Sequence, residues 1–88
     1  MTPHDTIDDE ALALRALGWT LGDDTRAARL LALTGIAPED LRTRIGEPAL
    51  HGAVLGFLQG HQADLIACAE AIGVTPEAMI AAHERLNR

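Results

Sequence analysis

The chain contains no serine, no lysine and no tyrosine. A serine nucleophile, a Schiff-base lysine and a tyrosine acid are therefore excluded at once. Its one cysteine, Cys68, cannot form an internal disulfide and is compatible with a reducing compartment. Aromatic residues are limited to Trp19 and Phe57, so a core drawn from these 88 residues has to be built from leucine, isoleucine and alanine. The β-branched and aromatic residues that strands favour are scarce, while Ala, Leu, Glu and Arg favour helix. An all-α fold is expected.

Positive charge is also in short supply. The net charge is −6, with eight acids to five arginines in residues 1–44 and five acids to two arginines in residues 45–88. Neither half is basic, so the counterion-release term that drives phosphate binding works against nucleic acid over most of the surface. The opening Met1–Glu10 is acidic and has no basic stretch ahead of an apolar run, so no secretory signal is expected. No run approaches the ~18 continuous apolar residues of a membrane span. A cytoplasmic protein without a membrane partner is the expectation.

What is present is dense helix punctuation. Thr6 is a candidate N-cap for a helix over about 7–21, with Asp9 three residues on. Ile7, Leu14, Leu17 and Leu21 form one stripe of that helix; Leu12, Ala16 and Trp19 form another on its far side, as in a helix sandwiched between neighbours. Asp23 or Asp24 opens a second helix (24–34) burying Ala27, Leu30, Leu31 and Thr34, with Gly35 as a left-handed stop. Pro38 starts a third helix (38–45) before Gly46, and Pro48 a fourth (48–59) with Leu50, Val54, Phe57 and Leu58 apolar, ended by Gly60. A fifth (62–72) presents Leu65, Ile66, Ala69 and Ile72, with Cys68 among core positions. A sixth (76–87) presents Met79, Ile80, His83 and Leu86. The pattern predicts one domain over 1–88, a compact orthogonal bundle of five or six short helices, with residues 1–6 fraying. Thr34–Leu41 echoes Ile72–Met79 at a spacing of 38. That echo fits either two similar helical hairpins or repeated use of one cap chemistry.

The chemistry-bearing residues are sparse. Helix 2, Gly35 and helix 3 resemble a helix-turn-helix, and Arg26, Arg29, Arg42 and Arg44 form a candidate basic patch. Glu39 and Asp40, however, occupy the first turn of the would-be recognition helix, where they repel phosphate. An ordinary packed hairpin is preferred. His4, His51, His61 and His83 lack metal-ligand spacing; His61, Asp64 and Cys68 share one helix but Cys68 falls among core residues. No metal or cofactor and no catalytic constellation is expected, hence no enzyme. The least ordinary feature is Gly52, Gly56 and Gly60 at every fourth position, beside Ala49 and Ala53. Each interior glycine costs roughly 1 kcal/mol relative to alanine. Gly60 reads as a helix stop, while Gly52 and Gly56, with Ala49 and Ala53, form a face open to close approach. Helix 1 or helix 5 of the same chain is expected there first, a partner helix or second copy next.

The run from Leu30 to Arg42, with the signature Leu31-Ala32-Leu33-Thr34-Gly35-Ile36-Ala37-Pro38-Glu39-Asp40-Leu41-Arg42, resembles a small bacterial all-helical family of unknown function. Val54–Leu58 and Ala69–Glu77 resemble its second half, so the likeness spans about Glu10 to Leu86. It departs at Gly56 and at His61-Gln62, where the resemblance implies acidic residues in relatives. It implies a helical domain without an established activity. A non-enzymatic protein-interaction module, through a protein partner or self-association, is the functional expectation; a nucleic-acid-associated regulator using the hairpin around Gly35 is the alternative.

Overall fold

The computed structural model describes residues 8–87. Six helices follow in order, with no strand among the described residues: α1 (Asp9–Leu21), α2 (Asp24–Thr34), α3 (Pro38–Thr43), α4 (Pro48–Gln59), α5 (Gln62–Ile72) and α6 (Pro76–Leu86). Thr6, Ile7, His4 and the fraying expected of residues 1–6 lie outside the described residues. The cap of α1 is Asp8 instead, whose Oδ1 accepts the Ala11 amide at 2.7 Å. A carboxylate at this position satisfies an otherwise orphaned amide and meets the positive end of the helix dipole. Asp23 caps α2 in the same way, and the neutral Thr75 hydroxyl accepts the Ala78 amide at the start of α6.

Gly35 (φ 73°) and Gly73 (φ 80°) end α2 and α5 in the left-handed region, which side-chain-bearing residues rarely adopt. The two halves of the sequence echo share that cap and then diverge. α3 has six residues and buries none, whereas α6 has eleven and buries Met79 and Ala82. Helix 3 also stops at Thr43, short of the expected residue 45. The Arg44 amide closes onto Asp40, and Glu47 N–H turns back to the Arg44 carbonyl at 3.0 Å. Buried His51 then donates from Nε2 to the Ile45 carbonyl at 2.7 Å, tying this turn to α4.

The core forms one cluster centred on α1 and α4. α1 packs against α2, α4, α5 and α6, and α4 packs against α1, α2, α5 and α6. α4 buries Leu50, His51, Gly52, Val54, Leu55, Phe57 and Leu58, which are distributed around the helix. α1 buries Leu12, Ala13, Ala16, Leu17 and Thr20. Thr20 enters this apolar surround because its hydroxyl donates to the Ala16 carbonyl at 2.9 Å. Trp19 is only partly buried: the Arg26 guanidinium lies 3.7 Å from its ring centroid. α5 and α6 meet at a corner of 102°. Leu65, Cys68 and Ala69 of α5 are buried as expected, whereas Ile66, expected on the same inner face, is 49% exposed. No single helix among the described residues is long and apolar enough to cross a membrane.

Candidate functional site

The glycine face of α4 is filled by α6, not by helix 1 or helix 5 as the spacing suggested. A Cβ at Gly52 would lie 3.9 Å from Leu86 Cβ, and one at Gly56 would lie 3.1 Å from His83 Nε2. The α4–α6 contact is the most extensive in the molecule. Gly56 therefore lets the His83 imidazole lie almost on the backbone of α4. Gly60, read as a stop, ends the helix at φ −76°, a conformation open to any residue. Ala49 is exposed at the start of the helix and Gly52 is buried.

The part of this face that stays open is on the side of α4 turned toward the end of α2. Ala53, Gly56, Phe57 and Gly60 of α4, His61 after it, and Leu33 and Thr34 at the end of α2 line a hollow of about 450 Å³. Leu33 is 66% exposed, the most exposed large apolar side chain in the chain's described part. It lies off the stripe of Ala27, Leu30, Leu31 and Thr34 by roughly a third of a turn at 100° per residue. The same arithmetic was the available signal for this surface: a leucine that the buried stripe of α2 does not use. No lining residue carries a formal acid or Arg side chain. Thr34 Oγ1 already donates to the Leu30 carbonyl at 2.6 Å and accepts from Ile36 N–H at 3.3 Å. His61 stacks in a tilted arrangement on Phe57, ring centroids 5.6 Å apart, and its Nδ1 is buried without a hydrogen-bond partner among the described residues. The hollow thus presents apolar surface and little that could orient a small polar ligand.

The arginines of the candidate basic patch are largely engaged. Arg26 donates to the Trp19 carbonyl at 2.7 Å while covering the indole. Arg29 pairs with Asp64 at 2.8 Å, linking α2 to α5, and Arg44 pairs with Glu47 at 2.9 Å. Arg42 is exposed on α3, whose first turn carries Glu39 and Asp40. Asp64 is committed to Arg29, and Cys68 is fully buried with its thiol pushed up to about 11, chiefly by burial and further by the Asp64 charge, against the pull of Arg26. Among the described residues no three His, Cys, Asp or Glu side chains converge on one point.

Fold and surface together define a small domain with six helices among its described residues, a core shared by two central helices and an apolar hollow between the ends of α2 and α4. The chain belongs to the family described as protein of unknown function (DUF3572), which matches residues 7–88. This agrees with the resemblance drawn above to a small family of unknown function. No curated protein and no solved structure matches the chain.

Proposed function

We propose that the protein is a non-enzymatic, cytoplasmic interaction module that receives an apolar side chain of a protein partner in the hollow between the last turns of α2 and α4. The observation that carries this reading is Leu33, left 66% exposed at the rim of an apolar hollow. Burying such a side chain on association is worth up to roughly 1.5–3 kcal/mol. The face first suggested by Gly52, Gly56, Ala49 and Ala53 contributes through Ala53 and Gly56 only, because α6 covers Gly52. Engagement of Arg26, Arg29 and Arg44 within the fold weighs against the nucleic-acid alternative.

Leu33→Asp tests the reading. The substitution is at a solvent-facing helix position, so its effect on stability is expected to stay within about 0.5–1 kcal/mol. Proteins captured by the wild-type domain from cytoplasm should be lost from the variant at matched melting temperature. An identical captured set for both would remove the hollow from any interface.

A further inference from the structure

The walls of the hollow have an electrical polarity as well as an apolar surface. Leu33 and Thr34 belong to the last turn of α2, and Phe57 lies in the last turn of α4 with Gly60 as its C-cap. The C-terminus of α2 therefore brings a negative dipole end to this space, while the C-terminus of α4 is met there by the positive end of α5, whose N-cap His61 belongs to the same lining. Neither last turn contains a basic residue. Among the described residues no side chain or cap amide of the chain donates to the carbonyls of Leu33 or Thr34. These carbonyls are orphan acceptors of the usual helix end. Arg29, one turn before Leu33, is the nearby cation along α2, and Asp64 compensates it at 2.8 Å. The whole chain adds a net charge of −6, which attracts cationic partners over distances of a Debye length.

Resting on the docking reading above, we propose that the hollow's occupant is a peptide segment of a partner protein with an apolar anchor side chain flanked by lysine or arginine. The anchor takes the apolar floor of Ala53, Gly56 and Phe57, and the flanking cations meet the unpaired carbonyls of Leu33 and Thr34 at the end of α2. A second copy of this chain fits poorly. Two-fold pairing through this patch would set two chains of charge −6, and the C-terminal ends of both α2 helices, against one another. A small polar metabolite fits poorly as well, since Thr34 has spent its hydroxyl and His61 Nδ1 is sealed from solvent.

The test pans a displayed random-peptide library against the full chain at low ionic strength, then measures the enriched peptides by fluorescence anisotropy. Expected peptides carry an aromatic residue or leucine beside lysine or arginine. Reversing those cations to glutamate should weaken binding by about tenfold or more at ~50 mM salt, and the difference should shrink at ~500 mM. Ala53→Leu, which fills the hollow, and Leu33→Asp should each weaken the parent peptide by about tenfold, with folding checked by melting. Enriched peptides that bind through the hollow without a basic bias would overturn the charge inference and leave the docking reading intact. Peptides indifferent to both Ala53→Leu and Leu33→Asp would overturn both, as would a library yielding no binder. Concentration-dependent dimerisation abolished by Ala53→Leu would replace the basic segment with a second copy.

Discussion

Replacing Gly52 with alanine should stabilise the protein, and replacing Gly56 should not do so to the same extent, although both glycines lie inside α4. The common gain is conformational: alanine in a helix interior is favoured over glycine by roughly 0.5–1 kcal/mol. The difference is steric. At Gly52 the new methyl would make ordinary contact with Leu86 Cβ at 3.9 Å in a buried site. Removing that methyl from water adds up to roughly 0.8 kcal/mol. At Gly56 the methyl would lie 3.1 Å from His83 Nε2, so the ring has to retreat by a few tenths of an ångström from its packed position. Gly52→Ala is therefore expected to gain about 1 kcal/mol or slightly more, raising Tm by roughly 4–8 °C for a domain of this size. Gly56→Ala is expected to gain less, or to lose, and to recover the full helical gain when His83→Ala removes the obstructing ring. Thermal unfolding followed by circular dichroism on the four single and double variants decides the matter. A lower Tm for Gly52→Ala, or a Gly56→Ala effect indifferent to His83, would refute the packing of α6 on the glycine face.

Other expectations concern groups whose surroundings the fold has altered. Asp9 and Arg85 join the start of α1 to the end of α6 at 2.7 and 2.9 Å, and the hydrogen bond from Arg85 holds the Asp9 carboxyl below its usual value against a small opposing effect of burial. A folded-state value below the unfolded one means that the stabilisation is complete above about pH 4 and is lost as pH falls through the lower folded value. A double-mutant cycle of Asp9→Asn and Arg85→Gln should show coupling at pH 7 and none near pH ~2. Cys68 has the opposite sign: its thiol is held neutral up to about 11 against an ordinary value of 9.0, so its contribution is constant below 9.0 and declines between 9.0 and about 11. Native alkylation of Cys68 at neutral pH should be at least about a hundredfold slower than in denaturant, checked by mass spectrometry. His51→Leu should cost about 0.5–1.5 kcal/mol in chemical denaturation through the bond to the Ile45 carbonyl.

Local chemistry carried most of the helix boundaries. Asp23, Gly35, Pro48, Gly73 and Pro76 act within one turn of themselves: α2 begins and ends, α4 and α6 begin, and α5 ends where those residues place them. Less legible are the boundaries and faces that depend on which atoms the fold brings into reach. Thr6 was a plausible cap, but Asp8 is the residue whose carboxylate reaches Ala11. The turn after α3 is held by His51, which reaches back from α4 to the Ile45 carbonyl and is no part of the local propensity of α3. Ile66 and Cys68 occupy adjoining faces of one helix, and which face is covered depends on the neighbouring helices rather than on hydrophobicity.

The same distinction explains what could be read of the site. Glycines at 52 and 56 announce that something approaches α4 closely, because no local structure requires them. They do not say which helix approaches, since a missing side chain is equally accommodating to α1, α5 or α6. The occupant is identified by the side chains it brings, Leu86 and His83, which lie more than twenty residues away in sequence. Once α6 occupies that groove, the exposed remainder of the glycine-alanine face shifts to Ala53 and Gly56, where the end of α2 brings Leu33 alongside. The hollow thus lies beside the strip of α4 that α6 covers, on the side that faces the end of α2. Leu33 of α2 borders this hollow because α6 occupies the Gly52–Gly56 strip and leaves Ala53 open beside it.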